Sequence, residues 1–292
     1  MLQPFPKKKL GQHFLIDRNI VRKIVSLADV REGERVLEVG PGTGVLTEEL
    51  LRAGAAVTAI EADAALAEKL REKFKDEKAL EVVTADALKL SFLDLSKKAP
   101  GGVGKFKVVA NLPYNISGPI LVKFLEEREV FTSLVLMFQK EVARRITAGP
   151  GTKEYGILSV LSRAYTDARC EFDVAPHLFR PPPKVTSTVV RLSVLPSPRV
   201  PIEDEKFFKR VVRAAFGQRR KTLHNALKLL ALPDEDVSKA LEAASIDPKR
   251  RGETLTGEEF GRLADLLKGR NAEIMEIKEL REIKGIKEIK GN

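Results

Sequence analysis

Asn111-Leu112-Pro113-Tyr114 follows Val108-Val109-Ala110 directly in the chain. Two β-branched residues, then an amide, a proline and an aromatic ring, read as a strand that stops abruptly. It delivers polar and flat groups at its carboxyl end, where open α/β sheets bind ligands. Asn111 offers one acceptor and two donors, and Tyr114 offers a face for stacking a base. Pro113 fixes its own φ and lacks an N–H. It also biases Leu112 away from helix, so the turn is stiff. Such a set could hold a planar, amine-bearing ring. An Asn-Pro loop with a buried tyrosine accounts for the same residues without a ligand.

Three other strand ends carry chemistry. Arg35 to Gly40 reads as a strand that runs into Gly40-Pro41-Gly42-Thr43-Gly44, then a helix from about Val45 to Arg52. Glycines at 40, 42 and 44 let backbone approach a ligand next to a helix N-terminus that favours negative charge. A nicotinamide fingerprint needs its third glycine at position 45, which is Val45. Glu61 ends the next strand, Ala56 to Ile60, roughly 20 residues past the glycines, where an acid either binds ribose hydroxyls or is simply solvated. Asp86 follows a third strand, Leu80 to Thr84. Its carboxylate can accept from an exocyclic amine or cap a short helix. Phe179 stands before Pro181-Pro182-Pro183, a rigid segment that either holds the ring in place or simply connects two strands.

The elements that must position these groups alternate strand and helix through residue 194. The fold class expected is α/β, a Rossmann-like, mainly parallel sheet with helices on both faces. Asp17 caps a first helix to about Ala28, Lys97 to Lys105 reads as a loop, and Ile157 to Tyr165 as a helix. Cys170 to Val174 and Val185 to Val194 read as closing strands. Residues 1–195 make one domain with a basic N-terminal arm. Pro196, Pro198 and Pro201 punctuate a linker, and 203–268 carries only helical patterns, a small all-α domain. In the tail, 269–292, apolar residues recur with a period of 3, which wraps around a helix instead of marking one face. A frayed, charged extension is expected there.

The chain has 292 residues, 43% of them hydrophobic, with 51 Lys and Arg against 41 Asp and Glu, a net charge of +10. That excess favours a polyanionic partner, above all nucleic acid. One cysteine, Cys170, excludes an intrachain disulfide, and three scattered histidines make a zinc site improbable, so no metal is expected. There is no apolar run of membrane-spanning length and no secretory pattern after the basic start. A cytoplasmic protein is expected, with no membrane partner and acting as a monomer.

The glycine turn, Glu61, Asp86 and Asn111-Leu112-Pro113-Tyr114, in this order, resemble the class I S-adenosylmethionine-dependent methyltransferases. Further stretches narrow the resemblance: Leu10-Gly11-Gln12-His13-Phe14-Leu15, Gln139-Lys140-Glu141-Val142, Phe179 with Pro181 to Val185, and Gln218-Arg219-Arg220-Lys221. Over about residues 7 to 267 the chain resembles the ribosomal RNA adenine N6-dimethyltransferases of the small subunit (the KsgA type). The resemblance implies S-adenosylmethionine as methyl donor and two adjacent adenosines near the 3′ end of small-subunit ribosomal RNA, within the pre-ribosomal small subunit, as substrate. It implies cofactor contacts at Gln12, His13, Leu15, Gly40, Gly42, Gly44, Glu61, Asp86 and Asn111. His13 stands where relatives often carry Asn, and its polar ring can keep that contact. By the same resemblance Asn111 and a carbonyl at Leu112 or Pro113 accept the target amine's hydrogens, and Tyr114 and Phe179 stack on the flipped base. RNA capture falls to Lys7, Lys8, Lys9, Arg144, Arg145, Arg219, Arg220 and Lys221. A large-subunit methylase of the antibiotic-resistance type would share the site and differ in target. A non-catalytic ribosome-assembly factor would keep the fold and lose transfer.

Overall fold

The computed structural model describes residues 13–98, 104–218 and 220–269. The chain divides into two compact units, one of residues up to Thr147 with Tyr165–Ser197, the other of Ala148–Ala164 with residues from Pro198 on.

In the first unit the elements run β1 (Phe14–Leu15), α1 (Arg18–Ala28), β2 (Arg35–Val39), α2 (Val45–Arg52), β3 (Ala56–Glu61), α3 (Ala64–Lys73) and β4 (Leu80–Thr84). Then come α4 (Phe92–Lys98), β5 (Phe106–Asn111), α5 (Ser117–Glu126), β6 (Phe131–Gln139), α6 (Lys140–Thr147), β7 (Thr166–Val174), β8 (Phe179–Arg180) and β9 (Ser187–Val194). Seven strands form one sheet in the order β4-β3-β2-β5-β6-β9-β7. The first five are parallel, and β9 runs antiparallel between β6 and β7. Helices cover both faces, so the α/β architecture is as expected. The central strands are apolar runs because both faces are covered: Val36, Leu37, Val108 and Val109 have no exposed surface. Edge strand β4 is only partly buried along its length. β1 and β8 form a separate two-stranded ribbon, Leu15 opposite Phe179.

Local signals placed most boundaries. The Asp17 carboxylate accepts from the Ile20 N–H at 2.9 Å and starts α1. Two readings need correction. Helix α4 runs to Lys98, two residues into the loop expected at 97–105, and is seated by Phe92, Phe124 and Phe131, whose rings lie 5.1–5.5 Å apart. Its first N–H groups, Phe92 and Leu93, donate to the Glu127 carboxylate at 2.6 and 3.1 Å. That cap comes from α5's far end and leaves no local trace. Strand β7 begins at Thr166, ahead of Cys170, and absorbs a bulge between Cys170 and Phe172.

The second unit is helical: α7 (Ile157–Tyr165, up to Ala164), α8 (Glu205–Gly217), α9 (Leu223–Leu227), α10 (Asp234–Ala243) and α11 over 257–269. Phe207, Phe208, Val211 and Val212 of α8 line its core with Leu223, Leu227, Phe260 and Leu263. Segment 148–164, expected within the first domain, belongs here. The Tyr155 hydroxyl donates to the Leu255 carbonyl at 2.9 Å, and its ring meets Phe216 at 5.9 Å. Residues about 100 positions apart make those contacts, which a linear division of the chain cannot represent. Lys7, Lys8, Lys9, Gln12, Arg219 and the tail from 270 lie outside the described residues. Among the described residues, no helix is long and apolar enough to cross a membrane.

Candidate active site

The carboxyl ends of β2, β3, β4 and β5 open on one cavity of about 320 Å³, a size suited to a small-molecule ligand. Of the residues singled out above, His13, Leu15, Gly40, Gly42, Glu61, Asp86, Asn111, Leu112, Pro113 and Tyr114 line it.

The glycine turn leaves β2 with φ of +72° at Gly40, +56° at Gly42 and +75° at Gly44. These are left-handed values that side chains with a Cβ resist. Each glycine has its own neighbour. A methyl on Gly42 would lie 2.7 Å from the Phe14 ring, so β1 packs directly on the turn. Gly44 does not line the cavity; a methyl there would meet Leu70 and Phe74 of the α3 region at 2.5 and 2.8 Å. Its role is close packing of the turn, which corrects the expectation of a cofactor contact.

Glu61 ends β3 with 5% of its surface exposed. One carboxylate oxygen accepts from Gly42 N–H at 3.2 Å and the other from Asp63 N–H at 3.0 Å. Burial raises its proton affinity, and the backbone donors oppose that. A carboxylate has about four acceptor positions, so capacity remains for a ligand. Asp86 is exposed, and its Oδ1 accepts from Leu88 N–H at 3.0 Å, leaving Oδ2. Asp86 thus closes a turn over 87–89, where a short helix was the alternative expected, and it also lines the cavity.

The sequence reading missed Glu38. It faces the cavity from β2, is 1% exposed, and accepts from the Thr47 hydroxyl at 2.7 Å. Burial, with the Glu61 charge beside it, pushes its carboxyl up to about 8 against the Thr47 hydrogen bond and Lys73. The signal was present: one acid inside the apolar run Val36-Leu37-Glu38-Val39. A buried acid is costly without a task.

At the end of β5, Asn111 Nδ2 donates to the His13 carbonyl at 3.0 Å. That bond fixes the amide's orientation and leaves Oδ1 as an acceptor. His13 Nδ1 donates to the Pro181 carbonyl at 2.8 Å, and its ring packs on Tyr114, with centroids 5.4 Å apart and planes tilted by 31°. The Tyr114 hydroxyl meets Ser187 Oγ at 2.6 Å. The Pro113 carbonyl accepts from Ile116 N–H at 3.1 Å and so already has one partner. Leu112's side chain, 1% exposed, sits in the core.

Phe179 is not a wall of this cavity. Paired with β1, it is 2% exposed and packs among Leu15, Val174 and Val189. The expectation of a free stacking face at 179 is corrected accordingly: the strand pairing turns the ring into the core. Arg144 and Arg145 are exposed on α6 of the first unit, with Arg145 4.0 Å from Glu141. Arg220 and Lys221 are exposed between α8 and α9 of the second. Among the described residues, no group of His, Cys, Asp and Glu is arranged to hold a metal ion.

The family model for ribosomal RNA adenine dimethylase matches residues 6–268. The "Ribosomal RNA small subunit methyltransferase A" of Syntrophotalea carbinolica is 49% identical over 263 residues, covering 90% of this chain and 97% of that protein. Its namesake in Geobacter metallireducens is 47% identical over 260 residues, covering 88% and 94%. Among solved structures, a dimethyladenosine transferase from Plasmodium falciparum superposes with a TM-score of 0.69 at 28% identity, covering 86% of this chain and 96% of that one. The 23S rRNA methyltransferase ErmE does so at 0.62 and 30%, covering 87% and 99%. With a family match spanning both units and strand-end acids lining one cavity with the Asn-Leu-Pro-Tyr turn, the chain belongs to the ribosomal RNA adenine dimethylases, S-adenosylmethionine-dependent methyltransferases.

Proposed function

We propose that this enzyme dimethylates the N6 amines of two adjacent adenosines near the 3′ end of small-subunit ribosomal RNA, on the pre-ribosomal small subunit. In this reading it acts as a cytoplasmic monomer. The observation that carries the chemistry is the Asn111 amide: its donor side is held by His13, so its acceptor side is set for an amine. The choice of small-subunit RNA is supported by relatives of that name at 47–49% identity, against 30% for the large-subunit enzyme ErmE.

The residues present fit the donor molecule. Glu61, with acceptor capacity left, would take the ribose hydroxyls, and Asp86 Oδ2 the adenine amine. Glu38, buried against the same cavity, would take the ammonium of the amino-acid end, a charge that favours its ionised form. When bound, S-adenosylmethionine supplies a methyl on a sulfonium that is already a strong electrophile. The protein's work is therefore on the adenine nitrogen, whose lone pair is delocalised into the ring. Asn111 Oδ1 and the Leu112 carbonyl accept its two hydrogens, draw it toward tetrahedral geometry and aim the lone pair. Orientation of this kind can contribute several kcal/mol. Tyr114 stacks on the base, on the face that His13 leaves open, at about 1–3 kcal/mol. The second transfer proceeds with one N–H fewer to hold the amine.

Incubating the protein with labelled S-adenosylmethionine and immature small subunits, then mapping the product, tests this. Two adjacent N6-dimethyladenosines are expected. Label in large-subunit RNA, or RNA binding with no transfer, would overturn it, the latter in favour of an assembly factor.

Gly42→Ala should weaken binding of the methyl donor by about tenfold, because a left-handed Ala costs ~1–2 kcal/mol and its methyl drives Phe14 off the turn. Titration calorimetry checks it. We assign RNA capture to Lys7, Lys8, Lys9, Arg144, Arg145, Arg219, Arg220 and Lys221. Arg220→Glu with Lys221→Glu should weaken RNA binding and flatten its salt dependence, by roughly 0.7–0.9 in log–log slope for each phosphate that is no longer neutralised. An unchanged slope in filter-binding assays would remove these two residues from the interface.

A further inference from the structure

The short bond between Tyr114 and Ser187 joins two segments 73 residues apart, and nothing in the reaction described above uses it. Tyr114 belongs to the loop after β5. Ser187 is the first residue of β9 and has no exposed surface. Its backbone is held from both sides, opposite Gln139 of β6 and Val174 of β7. The neighbouring Thr186 carbonyl accepts from Lys140 N–H at 2.9 Å, and the Thr188 hydroxyl donates to Asp173 at 2.6 Å. Ser187 Oγ is thus a fixed post, set by the sheet rather than by a mobile loop. The Tyr114 ring is steadied twice: on one face by His13, at its far end by Ser187. A ring tied at its tip cannot swing about its own bonds, and a stacking platform is only as well placed as the groups that hold it.

We propose that Ser187 is a positioning residue for methyl transfer, and that its bond to the Tyr114 hydroxyl sets the base plane tightly enough for the second methylation to go to completion. The inference rests on the proposed function and deepens it. The first transfer has two N–H groups to orient the amine. The second has one, so the stacked ring carries more of the alignment, and a small misplacement costs disproportionately. Burial raises the Tyr114 phenol above its ordinary value, so the hydroxyl stays protonated and available as a donor across the working range.

The test uses Ser187→Ala, Tyr114→Phe and the double variant on immature small subunits with saturating methyl donor, scoring N6-monomethyl- and N6-dimethyladenosine by mass spectrometry. Tyr114→Phe keeps the stacking face and removes only the oxygen, so it answers the question even if Ser187→Ala folds poorly. Each single variant should lower the second-transfer rate about 5- to 10-fold, the value of one neutral hydrogen bond, and accumulate the monomethyl product. The double variant should match the singles, because both remove one and the same bond. KM for the methyl donor should stay put. A merely structural bond would lower thermal stability and leave the ratio of mono- to dimethyl product unmoved; that result, or a double variant equal to the product of the singles, overturns the positioning role. If the wild-type chain transfers no methyl, the proposed function fails and this inference with it. Normal wild-type dimethylation with an unmoved product ratio in the variants overturns the inference alone.

Discussion

Asn111→Ala should bind RNA close to normally and transfer methyl about 10²–10³-fold more slowly, the range seen when a single preorganised group at a reacting centre is removed. Two losses combine. The amide Oδ1 that accepts from the target amine disappears, so the lone pair is no longer aimed. Nδ2 also lets go of the His13 carbonyl, 98 residues away, which ties the β1 region to the end of β5. Asn111→Asp separates the two. It keeps acceptors toward the amine but faces the His13 carbonyl with oxygen in place of a donor. Donor binding should therefore weaken in both variants as the β1 segment loosens, whereas the single-turnover transfer step should fall much further for Ala, which also loses the acceptor. RNA affinity, measured without cofactor, should change little in either. Near-normal single-turnover transfer by Asn111→Ala would show that the nitrogen is oriented by other groups.

Glu38→Gln should leave stability nearly unchanged at acid pH and raise it at alkaline pH in the cofactor-free protein. The folded-state carboxyl titrates at about 8, against an ordinary 4.5, because burial disfavours its charge. A folded value above the unfolded one means that the native state binds the proton more tightly. The resulting stability is complete below pH 4.5, declines through the neutral range and is lost as pH rises through about 8. At ~1.4 kcal/mol for each tenfold in proton affinity, the full swing is at most ~5 kcal/mol. Gln is neutral at every pH and can still accept from Thr47 Oγ1. It should match the wild type within about 1 kcal/mol at pH 5 and exceed it by a few kcal/mol at pH 9. Glu61 titrates in both proteins, so the difference between their melting curves reports Glu38 together with its coupling to Glu61. Curves that run parallel from pH 5 to 9 would show that Glu38 is already ionised in the folded protein.

Much of this site could be read along the chain because its parts are local. A glycine turn after an apolar strand, an acid at the end of the next, and Asn-Leu-Pro-Tyr at the end of another each occupy a few consecutive residues. Strand and turn preferences act over that range, so the α/β alternation and the strand-end groups followed from spacing alone. The same locality explains the errors. Glu38 read as one strand residue because its environment, a buried cavity wall shared with Glu61, exists only after β2 and β3 are paired. Phe179 read as available because nothing nearby says that its strand will pair with Phe14 and Leu15. Helix α4 depends on a cap from Glu127, 35 residues on.

The sequence by itself therefore determined which chemical groups the protein has and at which strand ends they appear. Only the tertiary structure decided how those groups are held. The sheet order brings His13 to Asn111, 98 residues away, and to Pro181, 168 residues away, and Ser187 to Tyr114. The reason is physical: backbone preference is set over a few neighbouring residues, whereas the contacts that fix a side chain's direction and proton affinity come from whichever distant segments the packed sheet brings alongside it.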